Sequence, residues 1–521
     1  MSRLPGWLEP LYTAEEMRAL DAWAIQDEGV PSLQLMERAG AEVTRVVTGL
    51  APDGPVRIVC GKGNNGGDGF VVARLLAEGG LDAEALLLAD PEELRGDARA
   101  SFERLAASAA RWHHARPDAL TEALAKSGVI VDAMLGTGFE GAPRPPLDGA
   151  IEAVNAAGAP VVAIDVPSGV NAATGEIEGA CVRAGVTVTF HGAKVGLCVD
   201  PGKTTSGRVV VVEIGIPPAR YGAPLPATAG SISPHARDAL PSRAAASTKF
   251  SSGSVLVVGG STGLTGAVCL ACEAAMRAGA GWVRAGVPES LNAVFEVKLT
   301  EVMSLPLPDA QGALVAGAAA AVLDAVERAD AVALGPGLGR AEGSFALAVD
   351  LIERIERPLL VDADGLNALA DAGLERAAGR SAPTVLTPHA GELGRLLGVP
   401  SREIGEHRLA SAREAAERSG AVVVLKGDDT LVAQPGGAPL GISRGGAGAL
   451  ATAGTGDVLS GIATAFLARG LDAFRGACAA VETHQEAGRV AARRMGAESV
   501  VAGDVIAALP AALQGGSGRP A

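Results

Sequence analysis

The stretch Gly445-Gly-Ala-Gly-Ala-Leu-Ala-Thr-Ala-Gly-Thr-Gly-Asp-Val-Leu-Ser-Gly461 runs from small residues straight into an apolar helical pattern at Val458, Leu459, Ile462, Phe466 and Leu467. Glycines just ahead of a helix let backbone N–H groups approach an anion, and the helix dipole favours negative charge there. Asp457 falls in the first turn. A carboxylate beside a phosphate-sized anion hole is what a general base needs to take a proton from a hydroxyl during phosphoryl transfer. The plainer alternative is an acidic helix start with glycines used for packing.

Outward from this stretch, the chain reads as repeated strand–loop–helix units. Strands at Ser254–Val258, Ala331–Leu334, Leu359–Val361, Thr384–Leu386 and 421–425 each end in a glycine or polar loop. Upstream, Val56–Cys60 leads to Gly61-Lys-Gly-Asn-Asn-Gly-Gly-Asp-Gly69 and an expected helix over 70–78. Strands expected at 128–131, 160–164, Val186–Phe190 and 209–214 complete a first series. Alternating strands and helices predict parallel sheets, with ligands in the crevice at the strands' carboxyl ends. The first glycine loop fits G-x-G-x-x-G, a weak signal alone. It also carries Asn64, Asn65 and Asp68, which suggests a site that binds more than phosphate. Loops bearing Asn65, Asp132 and Ser168 converge in such a sheet, and oxygen donors of low total charge suit a hard cation; capped turns are the bland reading. Capping is also legible at Thr13-Ala-Glu-Glu16, a capping box opening the helical region of residues 11–50.

The 521 residues suffice for two domains, and 48 % hydrophobic with 3 % aromatic residues means cores of Ala, Val and Leu. A Pro-, Ala- and Gly-rich segment, Pro217-Pro218 and 221–228, reads as the linker, giving domains of 1–225 and 226–521. The net charge of −15 argues against nucleic acid as a partner. No signal-type N-terminus and no apolar run of about 18 residues is present, so a soluble cytoplasmic protein is expected, without a membrane partner. The six cysteines read as buried small hydrophobes, Cys269 and Cys272 included despite their redox-like spacing.

Taken together, these motifs carry a family resemblance. Asn64-Asn-Gly-Gly-Asp-Gly69, Gly136-Thr-Gly138 and Asp165-Val-Pro-Ser-Gly169 are similar to an NAD(P)H-hydrate epimerase domain. Thr387-Pro-His-Ala-Gly-Glu392, Lys426-Gly427 and Ala453-Gly-Thr-Gly-Asp-Val-Leu-Ser-Gly461 resemble the ADP-dependent NAD(P)H-hydrate dehydratases. The resemblance covers roughly residues 10 to 510 and implies an α/β fold of two domains. The first would be a Rossmann-like three-layer α/β/α domain, the second a ribokinase-like α/β domain. It implies a bifunctional enzyme acting on reduced nicotinamide that has taken up water across its 5,6 double bond. The N-terminal domain would interconvert the R and S epimers at C6. The C-terminal domain would return the S form to NAD(P)H, with ADP converted to AMP and phosphate.

Residue by residue, the resemblance places the hydrate against Asn64, Asn65, Gly66, Gly67, Asp68, Gly136, Thr137, Gly138, Phe139, Glu140, Gly141 and Ala142, with catalytic Asp165 at the reacting ring. It gives Asn65, Asp132 and Ser168 as potassium (K+) ligands. Lys194 is a further candidate there, with a solvated lysine an equal alternative; its segment departs somewhat from the family's lysine–glycine pattern. In the second domain Ala267, Gly337 or Gly339, His389 and Asp457 would meet the hydrate. Lys426, Gly427, Asp428, Asp429, Thr430 and Gly456 would hold ADP with Mg2+, and Asp457 would be the catalytic base. Asp362, Asp364 and Glu392 read as magnesium or water ligands, or as turn caps. A homo-oligomer is expected. The competing reading is a ribokinase-like kinase of a hydroxymethylpyrimidine or sugar, with a non-catalytic N-terminal binding domain.

Overall fold

The computed structural model describes residues 4–217, 227–437 and 439–514, apart from the side chains of 117 and 118. It divides into two compact units, one of Met1–Leu4 and Pro10–Ala229, the other of Pro5–Glu9 and Gly230–Ala521. Both are α/β with largely parallel sheets. The expected linker and the expected boundary at 225–226 fall mostly in 218–226, outside the described residues.

In the first unit seven strands lie in the spatial order Arg111–His114, Ala83–Leu87, Val56–Cys60, Val129–Ala133, Val161–Ile164, Val186–Phe190, Arg208–Val212. All neighbours are parallel. Side chains alternate between two helix layers. Ile58 and Cys60 join a core with Phe70, Leu76 and Phe102, whereas Val59 joins one with Leu120, Ile151 and Val154. From Val56–Cys60 the chain moves outward through two strands, then returns to Val129–Ala133 on the other side. The crevice therefore opens between these two strands.

The strands expected at 128–131 and 209–214 are observed at Val129–Ala133 and Arg208–Val212. Asp132 thus sits in its strand rather than in the loop beyond. The helix expected from residue 70 begins earlier, at Asn64. Its glycines serve close approach: an added Cβ would lie 2.0 Å from the Gly61 carbonyl oxygen at Gly66, and 2.6 Å from the Ala133 Cβ at Gly69. Packing against the sheet overrides their poor helix propensity.

In the second unit the strands Met303–Leu307, Trp282–Pro288, Ser254–Val258, Ala331–Leu334, Leu359–Val361, Thr384–Leu386 and Val422–Leu425 run parallel in that order. Leu431–Ala433 and Leu440–Ile442 extend the sheet antiparallel, and two further short strands follow, one of them carrying Leu8 and Glu9. The topological switch lies between Ser254–Val258 and Ala331–Leu334. The helix Thr455–Ala468 crosses Thr265–Arg277 closely, since a Cβ at Gly461 would stand 2.1 Å from the Ala271 carbonyl oxygen. Cys269 and Cys272 are buried on that second helix as free thiols. No described helix is long and apolar enough to cross a membrane.

Candidate active sites

The first unit holds a cavity of about 1050 Å³ at its switch point, lined among others by Asn64, Asn65, Asp68, Asp165 and the loop residues 136–140. Of the residues expected to meet the hydrate, Gly66, Gly67, Gly141 and Ala142 do not line it. Gly67 is turned onto Met36 and Ala98.

Asp165 follows the strand Val161–Ile164 with φ 65°, a left-handed conformation rare for a residue with a side chain. Its Oδ1 accepts from Lys194 Nζ at 2.5 Å and Thr189 Oγ1 at 3.0 Å. Lys194 also donates to Thr189 Oγ1 at 2.9 Å and to the Phe190 carbonyl at 3.0 Å. All three ammonium protons are used, and Lys194 is 1 % exposed, which overturns its reading as a solvated lysine. A carboxylate 29 residues away holds it inside.

Beneath the cavity, Asn65, Asp132 and Ser168 meet around one peptide. Asn65 Nδ2 donates to the Leu135 carbonyl at 2.8 Å, and the Leu135 N–H donates to Ser168 Oγ at 2.9 Å. Ser168 donates to Asp132 through Oγ at 2.6 Å and through its N–H at 2.8 Å. Burial pushes the Asp132 carboxyl up to about 6, against the hydrogen bonds from Ser168 and Met134 that favour its charge. The donor set is oxygen only, with one carboxylate, and it fits a hard ion of low charge.

Of the further carboxylates that line this cavity, two lie near enough to Asp165 to feel its charge. Asp68 is buried, and desolvation with Asp165 and Asp21 nearby raises it well above the carboxylate range. Asp21, on the helix Ala14–Gln26, lines the same cavity and was not singled out from sequence. Its signal was there to find: it stands in the stripe Met17, Leu20, Ala24, all buried, where an apolar residue belongs. The capping box that starts this helix is formed in full, with Glu16 accepting from the Thr13 N–H at 2.8 Å.

In the second unit the site is assembled along the carboxyl ends of consecutive strands. Lys426 Nζ, after Val422–Leu425, donates to Asp362 Oδ1 at 2.9 Å and lies 3.7 Å from Glu392 Oε2. Ser460 Oγ donates to Asp362 Oδ2 at 2.7 Å and ties the helix Thr455–Ala468 to this pair. A Cβ at Gly456 would lie 3.7 Å from Lys426 Nζ, so the ammonium stands over the turn that opens the helix. That turn needs glycine: Gly454 has φ 91°, and a Cβ there would meet Leu270 at 2.7 Å.

Burial, then the charges of Asp362 and Glu392, push the Asp457 carboxyl up to about 7 despite Lys426. Burial alone would depress Lys426, but Asp362, Glu392 and Asp457 outweigh it and raise the group. A base that titrates near neutrality beside a permanent cation and a helix N-terminus is equipped for proton abstraction next to an anion.

Among the remaining expected residues, Gly337 abuts Ala267, a Cβ on it lying 3.1 Å from the Ala267 Cβ, whereas the Gly339 N–H is taken by Asp364 Oδ2 at 2.9 Å. His389 caps the helix Ala390–Leu397: Nδ1 accepts from the Gly391 N–H at 2.9 Å, and Glu392 Oε2 accepts from the His389 N–H at 2.9 Å. With Nδ1 an acceptor, Nε2 is the donor nitrogen of this exposed ring, and it lies 3.6 Å from Glu392 Oε2. Glu392 thus closes a helix cap and Asp362 partners the lysine, while Asp364 accepts from the Gly339 N–H and the Asn367 amide and caps no helix. No group of three His, Cys, Asp or Glu side chains among the described residues is placed to hold a metal. Asp429 turns inward to Arg408 at 2.7 Å, and Asp428 Oδ1 accepts the Gly446 N–H at 2.6 Å. Thr430 Oγ1 donates to the Gly427 carbonyl at 2.5 Å. From this loop the Lys426 side chain is turned toward Asp457.

Two family descriptions match the chain: "YjeF-related protein N-terminus" over residues 32–196 and "NAD(P)H-hydrate dehydratase" over 255–511. It is 40 % identical to the bifunctional NAD(P)H-hydrate repair enzyme of Moorella thermoacetica, over 97 % of this chain and 96 % of that one. It is 34 % identical to the enzyme of that name from Escherichia coli, over 96 % and 93 %. An ADP/ATP-dependent NAD(P)H-hydrate dehydratase from Bacillus subtilis, crystallised with ATP and Mg2+, matches 54 % of this chain and 96 % of its own at 30 % identity and a TM-score of 0.47. The full-length matches decide against a small-molecule kinase with a non-catalytic N-terminal domain.

Proposed function

The chain belongs to the bifunctional NAD(P)H-hydrate repair family, an NAD(P)H-hydrate epimerase and dehydratase, and from that premise we propose how its residues divide the work. Residues 1–225 carry the epimerase and 226–521 the ADP-dependent dehydratase, in a cytoplasmic homo-oligomer. In the first unit the hydrated nicotinamide ring lies in the cavity above Asn64, Asn65 and residues 136–140, with Asp165 at C6. Lys194 and Thr189 keep that carboxylate in place. Asn65, Asp132 and Ser168 would hold a potassium ion, which would supply positive charge beneath the substrate loops.

In the second unit the hydrate meets Ala267, Gly337, His389 and Asp457. Asp457 takes the proton of the C6 hydroxyl as that oxygen attacks the β-phosphoryl group of ADP. Lys426 and the N–H groups at residues 454–456 neutralise the charge that builds on the phosphoryl oxygens. Hydroxide leaves poorly and phosphate leaves well. The ring nitrogen's lone pair then expels phosphate, loss of a C5 proton restores the double bond, and AMP and phosphate are released. Mg2+ would come with the phosphates of ADP, since no ready-made protein cluster for it exists among the described residues.

The observation that carries this reading is the meeting of Lys426 with Asp457 and the Gly454 turn at one helix start, where burial pushes the Asp457 carboxyl up to about 7. The test is recovery of absorbance at 340 nm from mixed R and S hydrate with ADP, Mg2+ and K+. Complete recovery, with AMP and phosphate formed in step, is expected. Recovery that stops when the S form is exhausted would remove the epimerase assignment.

A further inference from the structure

Epimerisation at a carbon that bears a hydroxyl beside a ring nitrogen needs two proton transfers. One proton leaves with the departing hydroxyl, and one is taken from the water that replaces it. Asp165, ion-paired to Lys194 at 2.5 Å, is a ready acceptor, and the cavity has to supply the donor.

Asp21, Asp68, Glu93, Asp97 and Glu140 also line that cavity. Asp21 and Asp68 lie near enough to feel the charge of Asp165, whereas Glu93 is paired with Lys62 and Glu140 is exposed. Asp68 is as buried as Asp165, each 9 % exposed, so those two together would lack a member open to water. Asp21 is half-buried and reaches both the cavity and water. It receives no hydrogen bond from any described residue, and the groups it feels are charges: Lys194, Asp165 and Asp68 across the cavity. Arg18, one turn back on its own helix, also lines the cavity. Burying an unbonded carboxyl in a core stripe costs stability, and the sequence offers an apolar residue at every neighbouring stripe position, Met17, Leu20 and Ala24. Glu16 anchors the same helix by accepting from Thr228, through its N–H at 2.9 Å and its hydroxyl at 3.0 Å. The carboxyl is thereby held at a set place against the cavity.

We propose that Asp21 is the second catalytic acid–base group of the epimerase site, working as a pair with Asp165. The inference rests on the placement of the epimerase in the first unit. As the nitrogen lone pair forms the N1=C6 bond, the C6–O bond breaks, and the hydroxyl leaves as water with the proton from Asp21. Water then adds to the opposite face of C6, the π electrons return to N1, and Asp165 takes the proton that the added water loses. One proton has passed from Asp21 to Asp165, and exchange with solvent resets the pair. In the reverse direction the two exchange roles, so the singly protonated pair is the working form both ways.

The test uses the full chain with Asp21→Asn and follows R-to-S conversion after subtraction of the uncatalysed rate. Epimerisation falls at least about 100-fold, the range of a lost acid–base group, while dehydration of pure S hydrate by the same protein is unchanged. Asp21→Glu, which keeps a carboxyl, restores part of the rate. In the wild type, kcat/KM falls with rising pH through the value near Asp21's own, about 6, and what remains in Asp21→Asn lacks that limb. A loss under about threefold, or a wild-type profile flat from pH 5 to 8, overturns the proposal; the profile decides even where the variant fails to fold. Absence of any epimerisation in the wild type would instead overturn the placement on which the proposal stands.

Discussion

Lys194→Met tests how the first site is held together. The substitution keeps the length of the side chain and removes the ammonium, so Asp165 loses its partner at 2.5 Å while Thr189 Oγ1 and the Phe190 carbonyl lose donors at 2.9 and 3.0 Å. Lys194 is 1 % exposed and the Asp165 side chain 13 %. The relevant scale is that of a broken buried pair, about 3–5 kcal/mol, with the lower half favoured because Asp165 borders a cavity that water can enter. With a urea slope of about 1–3 kcal/mol per molar, the midpoint drops by about 1–4 M. Unfolding of a two-unit chain is not one transition, so each midpoint is assigned by the activity lost with it, epimerase or dehydratase. Only the epimerase midpoint should move. The double variant Lys194→Met with Asp165→Asn removes both charges and should regain most of the stability, to within about 1 kcal/mol, because no orphaned ion is left. It should not regain epimerisation. A midpoint shift under about 0.3 M in Lys194→Met, or a double variant that is less stable than either single one, would refute the reasoning.

Four further outcomes follow from the second unit. Asp457→Asn should lower S-hydrate dehydration by about 10²–10⁴-fold while leaving epimerisation intact, and a residual rate above a tenth would deny Asp457 the role of base. Because the base must be ionised and its carboxyl stands near 7, wild-type kcat/KM for dehydration should rise with pH and level off above that value; a profile flat from pH 5.5 to 8 would contradict this. His484 is buried and its ring is depressed to about 4, chiefly by desolvation. A folded value below the unfolded one means stability complete above pH 6.5 and lost as pH falls, by about 3 kcal/mol at pH 4. The stability difference between wild type and His484→Gln, measured by urea unfolding, should shrink by that order between pH 7 and 4, and an unchanged difference would show that the ring does not titrate so. Gly461→Ala forces a Cβ to 2.1 Å from the Ala271 carbonyl oxygen and should cost about 1–3 kcal/mol through helix displacement, read as a lower dehydratase midpoint; no change would show that the crossing has slack.

Much of this molecule was legible in the order of its residues, and the reasons are local. Val56–Cys60, Val186–Phe190, Ser254–Val258 and Ala331–Leu334 read as strands because short, largely apolar runs that lead into glycine loops have few other outlets. Thr13 with Glu16 read as a helix start because both halves of the cap lie within one turn. The Gly454–Asp457 turn was likewise visible, since a glycine with positive φ, a helix start and a carboxylate in its first turn are all set within four residues.

What tertiary structure decided is which polar groups meet. Residues 64–69 looked like a loop because six polar and glycine positions carry no helical period, yet they are helical, since only glycine lets the helix press against Gly61 and Ala133. Lys194 read as a site candidate or as a solvated lysine, and what decided between them is the chain's return, which brought Asp165, in its left-handed conformation, against it. Asp21 was one acid among many until the helix face carrying it turned to the cavity. By itself the sequence determined periodicity, turns and caps, because these depend on neighbours a few residues apart. Charge pairing, burial and the values at which Asp21, Asp132 and Asp457 titrate depend on groups tens of residues away, and only the packed sheet brings those groups within reach.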